Sequence, residues 1–116
     1  MIHNQTRSVE IAHSAEVARG PIRRGIGLMG RRGWTHSDGL VLERCGSIHT
    51  FFMRMPIDVV YLDRDGTVLR ADAAMPPWRV GPIVRRARTV LELPAGTIER
   101  TGTRKGDRLE LPPPCA

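Results

Sequence analysis

The segment from Ile57 to Ala71 constrains the fold more strongly than any other part of the sequence. Apart from Asp58, residues 57–62 are β-branched, aromatic or aliphatic, a composition typical of a strand. The turn that follows ends in Asp65-Gly66, a pair that readily adopts the positive φ angles of a tight hairpin. Residues 67–71 then return as the partner strand. The sequence therefore predicts an antiparallel β-hairpin.

Further strands are indicated by short runs of alternating or β-branched residues. They are Val9–Ile11 with Val17-Ala18, Leu40–Leu42, Thr89–Leu93 and Arg108–Leu111. A principal helix is expected after Gly20-Pro21, where Ile22, Ile26 and Met29 recur at helical spacing, and a short one within Ala95–Gly102. These elements predict an α+β fold, mostly antiparallel, with a barrel-like curled sheet, one principal helix and a second short helix.

The length of the chain limits the number of domains. It has 116 residues, of which 41% are hydrophobic, enough for one modest core. We expect a single domain over residues 1–116, with an ordered core from about residue 8 to residue 111. The polar N-terminus and the proline-rich end, Pro112–Ala116, are expected to be flexible tails.

The charge balance bears on partners. The net charge is +6, and Lys105 is the only lysine, so arginine carries nearly all of the positive charge. This excess permits an acidic protein partner. The cluster of Arg85, Arg86 and Arg88 leaves weak, nonspecific nucleic-acid binding as an alternative. Specific nucleic-acid recognition is not expected, because no aromatic residues interleave with the arginines.

The sequence indicates a location and no cofactor. Cys45 and Cys115 are too few for a disulfide scaffold, and free thiols suit a reducing cytoplasm. The N-terminus has no hydrophobic signal region, and no apolar run reaches membrane-spanning length. We therefore expect a soluble cytoplasmic protein without membrane association. Neither a metal nor a cofactor is expected, since paired Cys or His ligands and a phosphate loop are missing.

An ordered set of motifs resembles a known family. The motifs are Gly27–Arg31, Ile48–Met53, Pro56–Asp58, Leu62-Asp63, Pro77-Trp78, Val90–Gly96 and Gly106-Asp107. In this order they resemble DUF192, a family of small prokaryotic domains of unknown function. The resemblance implies a compact, mostly β domain with one prominent helix, and it implies no activity. Another branch has a Trp-Met-Lys-Asn-Thr type sequence in place of His49–Met53, which implies that His49 is no family-wide catalytic group. Both patterns share Asp58.

Polar side chains and methionines interrupt the otherwise core-forming sequence from Ile48 to Asp63. Each polar group that is buried there needs a hydrogen-bond partner. One interpretation is a pocket that holds a small molecule or a peptide in an accessory domain. Trp78 would form one wall, because two prolines hold it on a stiff loop. The predicted ligand-binding residues are His49, Thr50, Met53, Asp58 and Trp78.

Two alternatives remain open for these residues. The chain could be a small enzyme that uses His49 and Asp58 as an acid–base pair, with Cys45 as a possible nucleophile. This requires the side chains to meet at one cleft. Asp58 could instead be structural, accepting backbone N–H groups from a loop or a helix end. Glu92 alternates with apolar neighbours and is expected to face solvent. The sequence sets neither the ligand nor the oligomeric state.

Overall fold

A computed structural model describes residues 1–18, 34, 37–43, 45–50 and 53–111. Eight strands and one short helix are assigned within these ranges. They are β1 (Ile2–Asn4), β2 (Val9–Ala12), β3 (Ala15–Ala18), β4 (Gly39–Glu43), β5 (Ile57–Leu62), β6 (Val68–Met75), β7 (Thr89–Pro94), α1 (Thr97–Thr101) and β8 (Leu109–Glu110). The protein is therefore mostly β.

The larger sheet has five strands in the order β3-β4-β7-β5-β6. The predicted hairpin is present: β5 pairs antiparallel with β6, and β5 also pairs antiparallel with β7. Strand β4 pairs antiparallel with β7, whereas β3 runs parallel to β4. Every residue of β5 is buried, which explains why its sequence is almost continuously apolar.

Each face of this sheet packs against a separate core cluster. The loop-side cluster contains alternate residues of β5 together with buried residues of the loop before it. Its buried members are Ala18, Leu40, Leu42, Ile48, Met53, Met55, Ile57, Val59, Tyr61 and Val90. The opposite face packs against the smaller sheet, in an interior that we call the intersheet cluster. Its buried members are Ile2, Ile11, Ala12, Val41, Val60, Leu62, Val68, Leu91, Leu93 and Leu109.

The smaller sheet corrects the expectation of a flexible N-terminus with an ordered core beginning near residue 8. Its strand order is β2-β1-β8, so residues 2–4 form the central strand. The side chains of Ile2 and Asn4 are buried, because β1 pairs on one edge with β2 and on the other with β8. A three-residue strand with polar neighbours carries too short a pattern to be recognised from sequence.

The barrel-like curl is not confirmed. The pairings among the described strands form two separate open sheets, in which β3 and β6 are the edges of the larger one. Helix α1 agrees with the predicted short helix within Ala95–Gly102. The predicted principal helix after Gly20-Pro21 and the tail Pro112–Ala116 lie outside the described residues. Among the helices that the structure describes, none is long and apolar enough to cross a membrane.

Glu92 is buried, which corrects the expectation that it faces solvent. Only 2% of its surface is exposed. It lies on β7, opposite Leu40 on one neighbouring strand and Val59 on the other. Strand β7 is the middle strand of the larger sheet, and both faces of the sheet are covered. Successive side chains of β7 therefore enter two different core clusters, and neither face is exposed to solvent.

A buried carboxylate joins the two ends of the described chain. Asn4 Nδ2 donates hydrogen bonds to Asp107 Oδ2 at 3.0 Å and to Thr103 Oγ1 at 3.2 Å. Arg7 Nε donates to the same Asp107 oxygen at 2.6 Å. Burial alone would raise the pKa of Asp107, but the hydrogen bonds from Asn4 and Arg7 hold the pKa of this carboxyl below its usual value.

We expect Asp107→Asn to lower the free energy of unfolding by about 2–3 kcal/mol at neutral pH, since an amide replaces a carboxylate that accepts charge-assisted bonds. The native pKa is depressed, so the stabilisation from Asp107 is fully present above the unfolded pKa. It is lost as the pH falls through the native pKa, below about pH 5. Urea unfolding at a series of pH values should show that the free energy of unfolding falls less steeply with decreasing pH in Asp107→Asn than in the wild type. The exposed Asp65→Asn is the control, and equal acid slopes in the wild type and Asp107→Asn would contradict this role.

Candidate functional site

Asp58 lies in the interior at the start of β5 and is fully buried. Its Oδ1 accepts the backbone N–H of Ala74 at 2.8 Å, and its Oδ2 accepts the backbone N–H of Ile98 at 2.8 Å. Ala74 is a residue of β6 with a positive φ of 50°, and Ile98 is in the first turn of α1. The carboxylate therefore connects the irregular end of an edge strand to the beginning of the helix. This geometry matches the structural alternative for Asp58.

Thr50 ties its own segment to the proline-rich loop. The side chain is buried, and its hydroxyl oxygen accepts the N–H of Arg79 at 2.7 Å. The same hydroxyl donates towards the carbonyl oxygen of Pro76 at 2.7 Å. The Thr50 N–H donates to the Arg79 carbonyl at 2.7 Å, and the Thr50 carbonyl accepts the Trp78 N–H at 2.9 Å. The hydroxyl and backbone of one threonine thus hold the loop from Pro76 to Arg79.

The pairing continues along both segments in an antiparallel direction. His49 forms a β-bridge with Val80, and the Gly81 N–H donates to the Ile48 carbonyl at 2.8 Å. A Cβ on Gly81 would lie 2.8 Å from Tyr61 Oη and 3.1 Å from the Ile48 oxygen, so only glycine allows this approach. Residues 48–50 and 78–81 therefore form one rigid unit above the loop-side cluster.

This unit presents two apolar side chains to solvent, and a third, Ile83, follows two residues later in the chain. Trp78, Val80 and Ile83 are 55%, 69% and 85% exposed, and we call them the Trp78 ridge. Trp78 has a positive φ of 62°, which is uncommon for a bulky residue. Two prolines before it and the hydrogen bonds from Thr50 hold the backbone in this conformation. Sequence reasoning identified Trp78 and missed Val80 and Ile83.

Two of the predicted pocket residues, Met53 and Asp58, lie on opposite faces of the larger sheet. Met53 belongs to the loop-side cluster. Asp58 alternates with Val60 and Leu62, which belong to the intersheet cluster on the other face. Both Asp58 oxygens are occupied by backbone donors, and within the described residues neither bonds to His49. The His49–Asp58 acid–base pair is therefore not assembled.

Cys45 and His49 are both half-buried. The Cys45 thiol donates to the carbonyl of Ser47 at 2.8 Å, a local contact within its own turn. Across the ranges given above, no group of three or more His, Cys, Asp or Glu residues could hold a metal ion.

Tyr61 has a buried hydroxyl in the middle of the core. The side chain is fully buried, and Tyr61 Oη has no hydrogen-bond partner in the described part of the chain. Burial, with a smaller contribution from the negative charge of Asp72, raises the pKa of Tyr61 to about 12. The phenol is therefore neutral at physiological pH, and its ring packs within the loop-side cluster.

The segment that carries the Trp78 ridge has charges of one sign. Residues 73–91 contain no aspartate or glutamate. They contain four arginines, all exposed: Arg79, Arg85, Arg86 and Arg88. Three exposed apolar residues and four exposed arginines thus occur in one segment of the described chain.

Comparison with known proteins places the chain in a family. The model of DUF192, described as an uncharacterized ACR, matches residues 2–111. A UPF0127 protein of Pyrococcus furiosus is 36% identical over 110 residues, which cover 92% of this chain and 94% of that protein. A UPF0127 protein of Pyrococcus abyssi is 32% identical over 95% of this chain and 96% of its own length. The chain belongs to the DUF192 family, as its motifs indicated.

Two solved structures share the fold. A protein of unknown function from Novosphingobium aromaticivorans matches with a TM-score of 0.74 at 24% identity, over 84% of this chain and 74% of that one. A putative transcription regulator from Sinorhizobium meliloti matches with a TM-score of 0.72 at 31% identity, over 83% and 79% of the two chains.

If Asp58 is structural, Asp58→Asn should lower the free energy of unfolding by about 2–4 kcal/mol, because an amide nitrogen would face one of two buried N–H donors. Chemical denaturation measures the loss. The exposed Asp65→Asn should change stability by less than about 0.5 kcal/mol. Full stability of Asp58→Asn would show that the two backbone bonds contribute little, and that this carboxylate is kept for another reason.

Proposed function

We propose that this protein is an accessory module that binds an acidic peptide segment of a partner protein through the Trp78 ridge. The observation that carries the proposal is the exposure of Trp78, Val80 and Ile83 on a backbone that Thr50 and Gly81 hold in place. Single apolar residues are normal on a surface, but three large exposed apolar residues within residues 78–83 favour an interaction site.

The rigidity of the ridge favours binding. A surface that is already ordered loses little conformational entropy when a partner docks, so more of the interaction energy appears as affinity. A partly exposed tryptophan is also the type of residue that most often dominates binding energy at interfaces. Thr50 holds the ridge backbone through its hydrogen bonds, and His49 forms a β-bridge with Val80.

The charge of the surrounding surface selects the kind of peptide. The four arginines of residues 73–91 are exposed, and no carboxylate in this segment neutralises them. A partner segment that alternates acidic and apolar side chains would satisfy both the ridge and its cationic rim. The acidic protein partner that the net charge permits would therefore bind at this surface.

Weak nucleic-acid binding is the second candidate. Arg85, Arg86 and Arg88 are all exposed, and the Sinorhizobium meliloti relative is described as a putative transcription regulator. Phosphate contacts from arginines would make such binding strongly dependent on salt. The peptide proposal is preferred, because only one aromatic ring of the ridge could stack on a base, and a duplex would leave Val80 and Ile83 unused.

Replacement of Trp78 by glycine tests the proposal with little risk to the fold. Glycine adopts a φ of 62° without strain, so Trp78→Gly removes the ring and keeps the loop conformation. A synthetic peptide that alternates glutamate and leucine should bind the wild type with a Kd on the order of 100 μM, followed by NMR chemical shifts. Trp78→Gly should weaken binding at least about tenfold.

Ser8→Gly is the matched control, because Ser8 also has a positive φ, of 52°, and lies in the turn between β1 and β2. It should bind as the wild type does. Equal affinity of Trp78→Gly and the wild type would contradict the proposal, as would equal binding of a peptide with lysine in place of glutamate. If an unrelated DNA duplex binds more tightly than the peptide, and salt and Arg85→Gln abolish that binding, the nucleic-acid candidate replaces it.

A further inference from the structure

A concave surface lies beside the hairpin turn that follows β5. The cavity has a volume of about 390 Å³. It is lined by Asp63, Arg64, Asp65, Arg86, Ala87 and Arg88. Its volume lies within the range of small-molecule sites, and three arginines and two aspartates line it. Trp78, Val80 and Ile83 do not line the cavity, but Arg86 and Arg88 are also among the arginines of the proposed peptide-binding surface.

Both walls of this cavity are fixed by backbone hydrogen bonds. On the hairpin side, the Asp63 N–H donates to the Thr67 carbonyl at 3.0 Å, and the Gly66 N–H donates to the Asp63 carbonyl at 3.1 Å. On the other side, the Arg88 N–H donates to the Leu62 carbonyl at 2.8 Å. Ala87 packs against the loop-side cluster. The cavity is therefore formed before any ligand binds.

The arginines that line the cavity form no ion pair with the aspartates that line it. Asp63 Oδ1 accepts the backbone N–H groups of Asp65 at 2.8 Å and Thr67 at 3.0 Å, which turns this carboxylate towards its own hairpin. Within the described residues, Arg64, Arg86 and Arg88 form no ion pair with a carboxylate. The lining holds three arginines against two aspartates, so its net charge is positive.

Arg86 adopts an uncommon backbone conformation at this point. Its φ is 70°, in the left-handed region that favours glycine. A long side chain in this region is held by its surroundings at some expense in stability, and such residues cluster at ligand sites. This conformation occurs in a residue that lines the cavity, and the next residue, Ala87, packs against the core.

We propose that this cavity binds the phosphate group of a small molecule. Planar guanidinium groups donate paired hydrogen bonds to phosphate oxygens, and several arginines around one oxyanion are a common means of holding it. Arg64 approaches from the hairpin, while Arg86 and Arg88 approach from the facing turn. The remaining volume, bordered by Ala87, would take the organic part of the ligand.

Inorganic pyrophosphate is the probe for this site, added to the isotope-labelled full chain at constant ionic strength. Saturable NMR shifts are expected for the amides of residues 63–67 and 86–88, with a Kd on the order of 1 mM. Arg88→Gln and Arg86→Gly should each weaken binding about tenfold, the loss expected for one charge-assisted hydrogen bond. Arg86→Gly also suits the φ at this position, so its fold is retained.

Arg54→Gln is the charge-matched control, because exposed Arg54 lies before β5 and the cavity lies after it. It should leave the affinity for pyrophosphate unchanged. An equal loss in Arg54→Gln would show a general charge effect and overturn the proposal. Equal binding of citrate would overturn the assignment to phosphate. Displacement of pyrophosphate by a DNA duplex that binds far more tightly would assign these arginines to nucleic acid instead.

Discussion

The burial of β5 on both faces is the constraint on which the rest of the structure depends. Its alternate side chains enter two different cores, so a charged group that enters with them needs hydrogen-bond partners inside the protein. Asp58 is the carboxylate on this strand, and two backbone N–H groups compensate it. In doing so it fixes the end of β6 and the first turn of α1. One carboxylate thus positions two elements that do not follow one another in the chain.

The backbone that carries the Trp78 ridge packs against the face of β5 that belongs to the loop-side cluster. Tyr61 directs its side chain into the loop-side cluster, and its hydroxyl leaves room beneath residue 81 only for glycine. That close approach lets residues 48–50 and 78–81 pair as short extended segments. The backbone N–H groups of Trp78 and Gly81 are hydrogen-bonded to residues 48–50, so the ridge is exposed on an ordered segment rather than on a loosely held loop.

Sequence patterns predicted the elements whose signals are local. The hairpin of β5 and β6 follows from β-branched residues around Asp-Gly, and the short helix was expected within Ala95–Gly102. The strand at Ile2–Asn4 was missed, because three residues carry no periodicity and their stability comes from two distant partners. The alternation of Glu92 with apolar neighbours predicts exposure only if one face of the sheet is solvated. Glu92 is buried because both faces of this sheet are covered.

The site was predictable only in part, for a similar reason. The embedded polar residues Thr50 and Asp58 have the hydrogen-bond partners that the sequence called for, but sequence does not show on which face of a sheet a residue before the strand will lie. Asp58 and Met53 lie on opposite faces of the larger sheet. Val80 and Ile83 carried no signal, since their exposure results from the pairing of two remote loops.

The proposed binding surface requires that this pairing holds the Trp78 ridge in place before a partner docks. Native-state amide hydrogen exchange at Trp78 and Gly81 tests it most directly, since these N–H groups donate to Thr50 and Ile48. If the ridge is preformed, both amides exchange slowly, with opening free energies that approach those of β5 amides. Exchange at the rate of an unprotected loop, while β5 remains protected, would show that the ridge is not held and would contradict the claim.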